Sequence, residues 1–179
     1  MDLGLQGKVA IITGGSDGIG KAAATSMASE GAKVAIVGRT QSKIDAAVAD
    51  ITSESGGSVF GVTADVSIES DVQAMIRKVV EKFGGVDILV NNAGTSSSTT
   101  LENMTDNDLK VDFGIKIYGA IYCARAALPH LKASGSGAIV NTTTPGGKAS
   151  SPGAQPTSLS RSAGISLTKS WAGELAEHN

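Results

Sequence analysis

The sequence predicts a doubly wound α/β fold, a parallel sheet carrying helices on both faces in three α/β/α layers. Three observations predict it. Five short apolar runs rich in β-branched residues recur along the chain, segments with a helical apolar period lie between them, and a glycine-rich turn joins the first run to the segment that follows. Runs this short read as strands buried on both faces, and strand–helix alternation implies right-handed crossovers and a parallel sheet.

The strands are expected at residues 9–12, 34–37, 59–62, 86–90 and 138–140. Ile44, Ala47, Val48 and Ile51 fall on one face of a helix after the second strand. Val72, Met75, Ile76, Val79, Val80 and Phe83 do the same after the third, and Gly84 and Gly85 stop that helix. Two longer helices are expected at 106–131 and 154–177, each with small or apolar residues around more than one face, which calls for a partner on the outer side. The hydroxyl-rich stretch 95–100 and the Thr, Ser, Gly and Pro-rich stretch 142–160 read as loops at one edge of the sheet. No linker or longer repeat divides the chain, so residues 1–179 form a single domain.

The chain is 41% hydrophobic and 18% charged, with a net charge of −2, which gives no footprint for nucleic acid or an anionic membrane. No apolar run approaches the roughly 18 residues of a membrane span, and no secretory signal pattern opens the sequence, so the expected location is cytoplasmic. Cys123 is the single cysteine and reads as a buried, inert thiol. His130 and His178 stand apart without flanking ligands, and no metal site is expected.

In "VAIITGGSDGIGKAAATSMASEGAKVAIVGR", Gly14, Gly18 and Gly20 lie between a strand and a helix, with the second strand about twenty residues on. Such a turn presents free N–H groups and the positive end of a helix to a pyrophosphate, the first strand–helix step of a dinucleotide site. A tight turn serving packing alone is the alternative. An acidic residue at the end of the second strand would bind the ribose 2′-OH of NAD; here stand Gly38 and Arg39, and Arg39 can pair with a 2′-phosphate, which favours NADP(H) over NAD(H). Asp17 opposes this if its charge lies near the same phosphate, and Arg39 could simply face solvent. Asp65, after the third strand, either accepts from an adenine amino group or caps a turn.

"TGGSDGIG" (13–20), "ADV" (64–66) and "NNAG" (91–94), in this order and spacing, resemble the short-chain dehydrogenase/reductase family, and the likeness runs from about Lys8 to the last residue. It implies a Rossmann fold and cofactor contacts from Thr13, Gly14, Ser16, Gly18, Ile19, Gly20, Asp65, Val66, Asn91, Ala93 and Gly94 beside Arg39. It also implies a homodimer or homotetramer through the two long helices, and two strands after the sixth helix. This sequence stops at "LAEHN", so those strands and part of the substrate pocket are expected to be lacking, leaving a domain C-terminally truncated relative to the family.

The family's Asn, Ser, Tyr and Lys fall on Lys116, Thr144, Thr157 and Arg161, and all four are substituted. Thr144 keeps a hydroxyl for a substrate carbonyl. Thr157 cannot replace a phenol, since an aliphatic alcohol stays un-ionised where a Tyr of pKa near ~10 can be tuned. Arg161 keeps the charge and cannot relay a proton. Lys116 is either a replacement acid or the partner of Asp112, one turn earlier. Tyr118 and Tyr122, one turn apart, read as packing or interface.

Three functions follow as expectations. The chain is an oxidoreductase passing hydride between NADP(H) and a small carbonyl or alcohol with altered acid–base residues, or a catalytically silent NADP(H)-binding sensor or partner subunit. The third is a self-associating fragment with vestigial nucleotide binding.

Overall fold

Five parallel strands build the sheet because their side chains are apolar on both faces. In this computed structural model, which describes residues 3–178, β1 (Val9–Thr13) is buried throughout and lies at the centre. Met1, Asp2 and Asn179, inside the expected domain, lie outside the described residues. Beside β1 run β2 (Lys33–Gly38) and β4 (Ile88–Asn91), with Ile11 opposite both Ala35 and Leu89. β3 (Ser58–Thr63) and β6 (Ala138–Asn141) complete the order β3-β2-β1-β4-β6. The order reverses at β1 and β4, and such a switch point opens a crevice at the carboxyl ends of the strands.

α1 (Gly18–Ser29) and α2 (Gln41–Ser55) cover one face, burying Ala24, Ala28, Ile44 and Ile51 against Ile12, Val34 and Ile36. α3 (Glu69–Phe83) and the long helix after β4 cover the other, where Val72, Met75, Val79, Cys123 and Ala127 meet Ile11, Val37 and Leu89. Gly56 and Gly84 end α2 and α3 in left-handed conformation, at φ 64° and 93°.

Four expectations are corrected. The helix expected at 106–131 is three joined pieces: α4 (Asp106–Phe113), a π turn (Gly114–Tyr118) and α5 (Gly119–Ala133). The Thr105–Asp108 capping box starts it, and the extra residue of the π turn shifts the faces of α5 relative to α4. The last long helix, α6 (Thr157–Glu174), starts three residues later than expected because Pro156 bars Gln155 from helical backbone. The two predicted loops are stitched together: β5 (Ser98–Thr99) pairs antiparallel with β7 (Gln155–Pro156). Finally, β6 is not buried on both faces. Ile139 packs towards α5 and α6, while Val140, on the opposite side by strand alternation, is 50% exposed.

Candidate functional site

The β1–α1 turn shapes the first half of the site. Asp17 accepts from the Gly18 N–H at 2.7 Å and caps α1. A Cβ on Gly18 would meet nothing within 4 Å, so the space above this residue, held at φ +52°, is open to a ligand. Gly20 differs. A Cβ there would stand 2.2 Å from the Gly14 carbonyl oxygen and 2.5 Å from Asn92 Nδ2, so Gly20 serves the chain's own packing rather than the space a pyrophosphate needs. Thr13 is also a tie: buried, its hydroxyl accepts from the Asn92 and Ala93 N–H groups, both at 3.0 Å, and donates to the Val90 carbonyl at 3.2 Å.

Beyond the turn lies a cavity of about 200 Å³ that Gly14, Ser16, Gly38, Arg39, Asp65 and Val66 line with Ala93 and Gly94. Asp17 is outside this lining, and its Oδ1 is engaged by the Gly18 N–H. Asp65 lines the cavity, and its Oδ1 accepts from the Ser67 N–H at 2.9 Å and hydroxyl at 2.7 Å in the local turn of its second reading. Ile19 projects from the first turn of α1, 72% exposed. Asn91 lies deeper, its Nδ2 donating to Asn141 Oδ1 at 2.9 Å across β4 and β6.

The second half of the site is a closed polar cluster. Lys116, in the π turn, is ion-paired with Asp112, and both side chains are only 1% exposed. Lys116 Nζ also donates to Thr157 Oγ1 at 3.0 Å; that hydroxyl accepts from the Ser97 N–H at 3.0 Å and lies 3.2 Å from Asp112 Oδ2, to which it donates. Thr157 thus spends its hydroxyl on neighbours. Burial holds Lys116 below its ordinary value; Asp112 pulls it back up and Arg161 pushes it further down. Arg161 donates from Nη1 to the Thr142 carbonyl, and burial lowers its pKa as well, against an opposing pull from Asp112. Thr144 is not brought in: it is exposed and precedes the 3₁₀ turn Pro145–Gly147, packed against the backbone of Arg161.

Residues 8–179 match the short chain dehydrogenase family. The chain belongs to that family. Its curated relatives include the oxidoreductase YvrD of Bacillus subtilis (strain 168), 37% identical over 172 residues, which are 96% of this chain and 64% of that protein. A 3-oxoacyl-[acyl-carrier-protein] reductase of Synechocystis sp. is 35% identical over 173 residues, 96% of this chain and 70% of that one. The chain therefore spans about two thirds of the length of these relatives. L-sorbose reductase from Gluconobacter frateurii, solved with NADPH and L-sorbose, superimposes with a TM-score of 0.96 at 34% identity, covering 100% of this chain and 68% of that one. NAD+-bound xylitol dehydrogenase superimposes at 0.93 with 29% identity, covering 98% and 67%.

Against the short-chain dehydrogenase pattern, four residues escaped sequence reasoning. Lys43, on the first turn of α2, lines the cavity beside Arg39, and its place four residues after Arg39 was the available signal. Asn92 Nδ2 donates to the Thr13 carbonyl at 3.0 Å, so it is the second Asn of "NNAG" that grips the glycine turn. Asp112 is more than the Lys116 partner its spacing suggests, since it is buried and also accepts from Thr157. Ser97 carries no signal, because only the β5–β7 pairing brings its amide to Thr157.

Proposed function

We propose that this chain binds NADP(H) across the switch point of its sheet and does not carry out tyrosine-dependent carbonyl reduction, acting instead as a nucleotide-holding sensor or partner subunit. The observation that carries this reading is the closed Asp112–Lys116–Thr157 cluster. The only hydroxyl at the tyrosine position is committed to Ser97, Lys116 and Asp112, and an alcohol so held has no proton to lend at neutral pH.

The residues present fit the dinucleotide. The open space over Gly18 and the first-turn amides of α1 suit the pyrophosphate, flanked by Ile19 and Ser16; Gly14 and Gly20 hold the turn, tied by Thr13 to Val90, Asn92 and Ala93, with Asn91 and Gly94 on either side of that tie. Asp65 and Val66 wall the adenosine end. Arg39 and Lys43 line the same cavity with no acidic residue at the end of β2, which supports NADP(H) over NAD(H). Bound NADPH supplies the hydride in any redox step.

One observation favours a second reading, oxidoreduction of a small carbonyl or alcohol. Lys116 lines a cavity beside this crevice and is held below its ordinary pKa. In that reading Lys116 would give its proton to the carbonyl oxygen, with Arg161 orienting the substrate and Thr144, exposed on the loop, taking no part. Titrating NADPH and NADH into the purified chain, then following nicotinamide absorbance with a carbonyl panel, separates the two. Binding without turnover supports the silent reading; turnover lost in Lys116→Met with NADPH affinity unchanged supports the second. Absence of NADPH binding overturns both.

We also infer a symmetric pairing through α4–α5 and α6. Val111, Tyr118 and Leu159 are 47%, 54% and 43% exposed on those helices.

A further inference from the structure

A second cavity, of about 200 Å³, lies between the carboxyl ends of β1, β4 and β6 and the helices α5 and α6. Thr13, Asn91, Asn141 and Thr142 line it from the sheet, Lys116 from the π turn, and Arg161 from α6, with Lys169 contributing a further cation. No Asp or Glu lines it, and Asp112 stands behind Lys116 outside the wall. Asp112 is already neutralised by Lys116, which leaves Arg161 in half-buried surroundings with no carboxylate partner among the described residues. Its Nη1 reaches only a backbone carbonyl, and its Nε is buried without any partner.

The two cations also converge. A Cβ on Gly94 would lie 3.1 Å from Arg161 Nη2 and 3.4 Å from Lys116 Cε, so both side chains press on one glycine. Two cations that share a single carboxylate, Asp112, leave one positive charge in excess in a partly desolvated place, and such a charge is costly until an anion meets it. The cavity is smaller than the roughly 300–1,000 Å³ that accepts drug-sized ligands, so the anion is compact.

We propose that this cavity is a binding site for a small carboxylate, held by the guanidinium of Arg161 with the ammonium of Lys116 beside it. This goes beyond nucleotide binding and stands without it, although Val66, Ala93 and Ile115 line both cavities and form a shared wall. Burial lowers the pKa of Lys116, and an anion nearby pulls it back up, so binding should take up protons at alkaline pH through this lysine, while Arg161 stays charged.

The test uses the full chain without dinucleotide, with oxalate as probe and the neutral diamide oxamide as its control, read by calorimetry and by backbone amide NMR. Oxalate at millimolar concentration is expected to shift the Thr142, Gly164 and Thr168 amides, and oxamide to leave them unmoved. Arg161→Gln should weaken oxalate by about tenfold or more, and Asp112→Asn, which removes the compensating charge behind Lys116, should tighten it several-fold. Oxalate shifts confined to Arg39, Lys43 and the β1–α1 turn overturn the proposal, as does equal binding of oxamide. Should Arg161→Gln fail to fold, the wild-type amide map alone decides. NADPH titration on the same sample reports separately on the nucleotide reading.

Discussion

Lys116 and Asp112 are both sealed from water, so each depends on the other. Lys116→Met should destabilise the chain by about 3–5 kcal/mol, because it strands a buried carboxylate, while Asp112→Leu with Lys116→Met should recover most of that loss. Denaturant midpoints measure both. The lysine also makes stability depend on pH in a defined sense. Its folded value lies below the ordinary 10.5, so between the two the unfolded chain binds a proton that the folded chain has shed, and stability rises with pH through that window. Lys116→Met should lack the rise. At the glycine turn, Gly18→Val meets no neighbour and should fold with reduced stability, from a β-branched residue at φ +52°, and lose NADPH, whereas Gly20→Val should not fold, since its side chain meets the Gly14 carbonyl at 2.2 Å; circular dichroism and NADPH titration separate the outcomes. Arg39→Ala should weaken NADPH relative to NADH by something on the order of 1.5–3 kcal/mol. Equal losses would remove the case for the 2′-phosphate.

Among the elements, the β5–β7 ribbon and the π turn do together what neither does alone. The ribbon brings Ser97 to Thr157, and the π turn at Gly114–Tyr118 brings Lys116 to the same hydroxyl, so three segments distant in sequence share one oxygen. Thr157→Val keeps the shape and removes the oxygen, leaving the Ser97 N–H and one Lys116 N–H unpaired. A loss of about 1–3 kcal/mol is expected. Hydrogen exchange at Ser97 should quicken in that variant while the amides of β1 and β2 keep their protection; unchanged exchange at Ser97 would show that the bond holds nothing in place.

Over the whole molecule, the helices flanking β4 and β6 carry the apolar surface the sheet leaves over. Val111, Tyr118 and Leu159 point outwards from α4–α5 and α6, and the Tyr118 and Tyr122 rings stack loosely at 6.2 Å between centroids. Sedimentation velocity at tens of micromolar should find a dimer that Tyr118→Glu with Leu159→Glu dissociates. A wild type that stays monomeric counts against the pairing. Val140 on the open side of β6 makes a competing patch, at an edge strand where unpaired backbone invites nonspecific pairing. A dimer surviving the double charge substitution would point to that edge instead.

The sequence by itself determined the sheet, because four-residue runs such as "VAII" and "VAIV" are too short for helices and apolar enough to be strands covered on both faces. It also determined the glycine turn, which is a matter of identity and spacing, and which side chains stand at Lys116, Thr144, Thr157 and Arg161. Tertiary structure alone decided what those residues do. Gly18 and Gly20 look alike in sequence, yet one faces open space and the other the Gly14 carbonyl, because Asn92 folds back over the turn. Thr144 and Thr157 both carry a hydroxyl, yet one lies exposed and the other is locked at the centre of a network, since only the β5–β7 pairing sets the start of α6 against the loop after β4. Whether Lys116 meets Asp112, Thr157 or water depends on the extra residue in a π turn, and no periodicity announces it. Local patterns record which faces need burial. The partners of a polar atom are chosen by chain segments dozens of residues away, and only the packed fold brings those together.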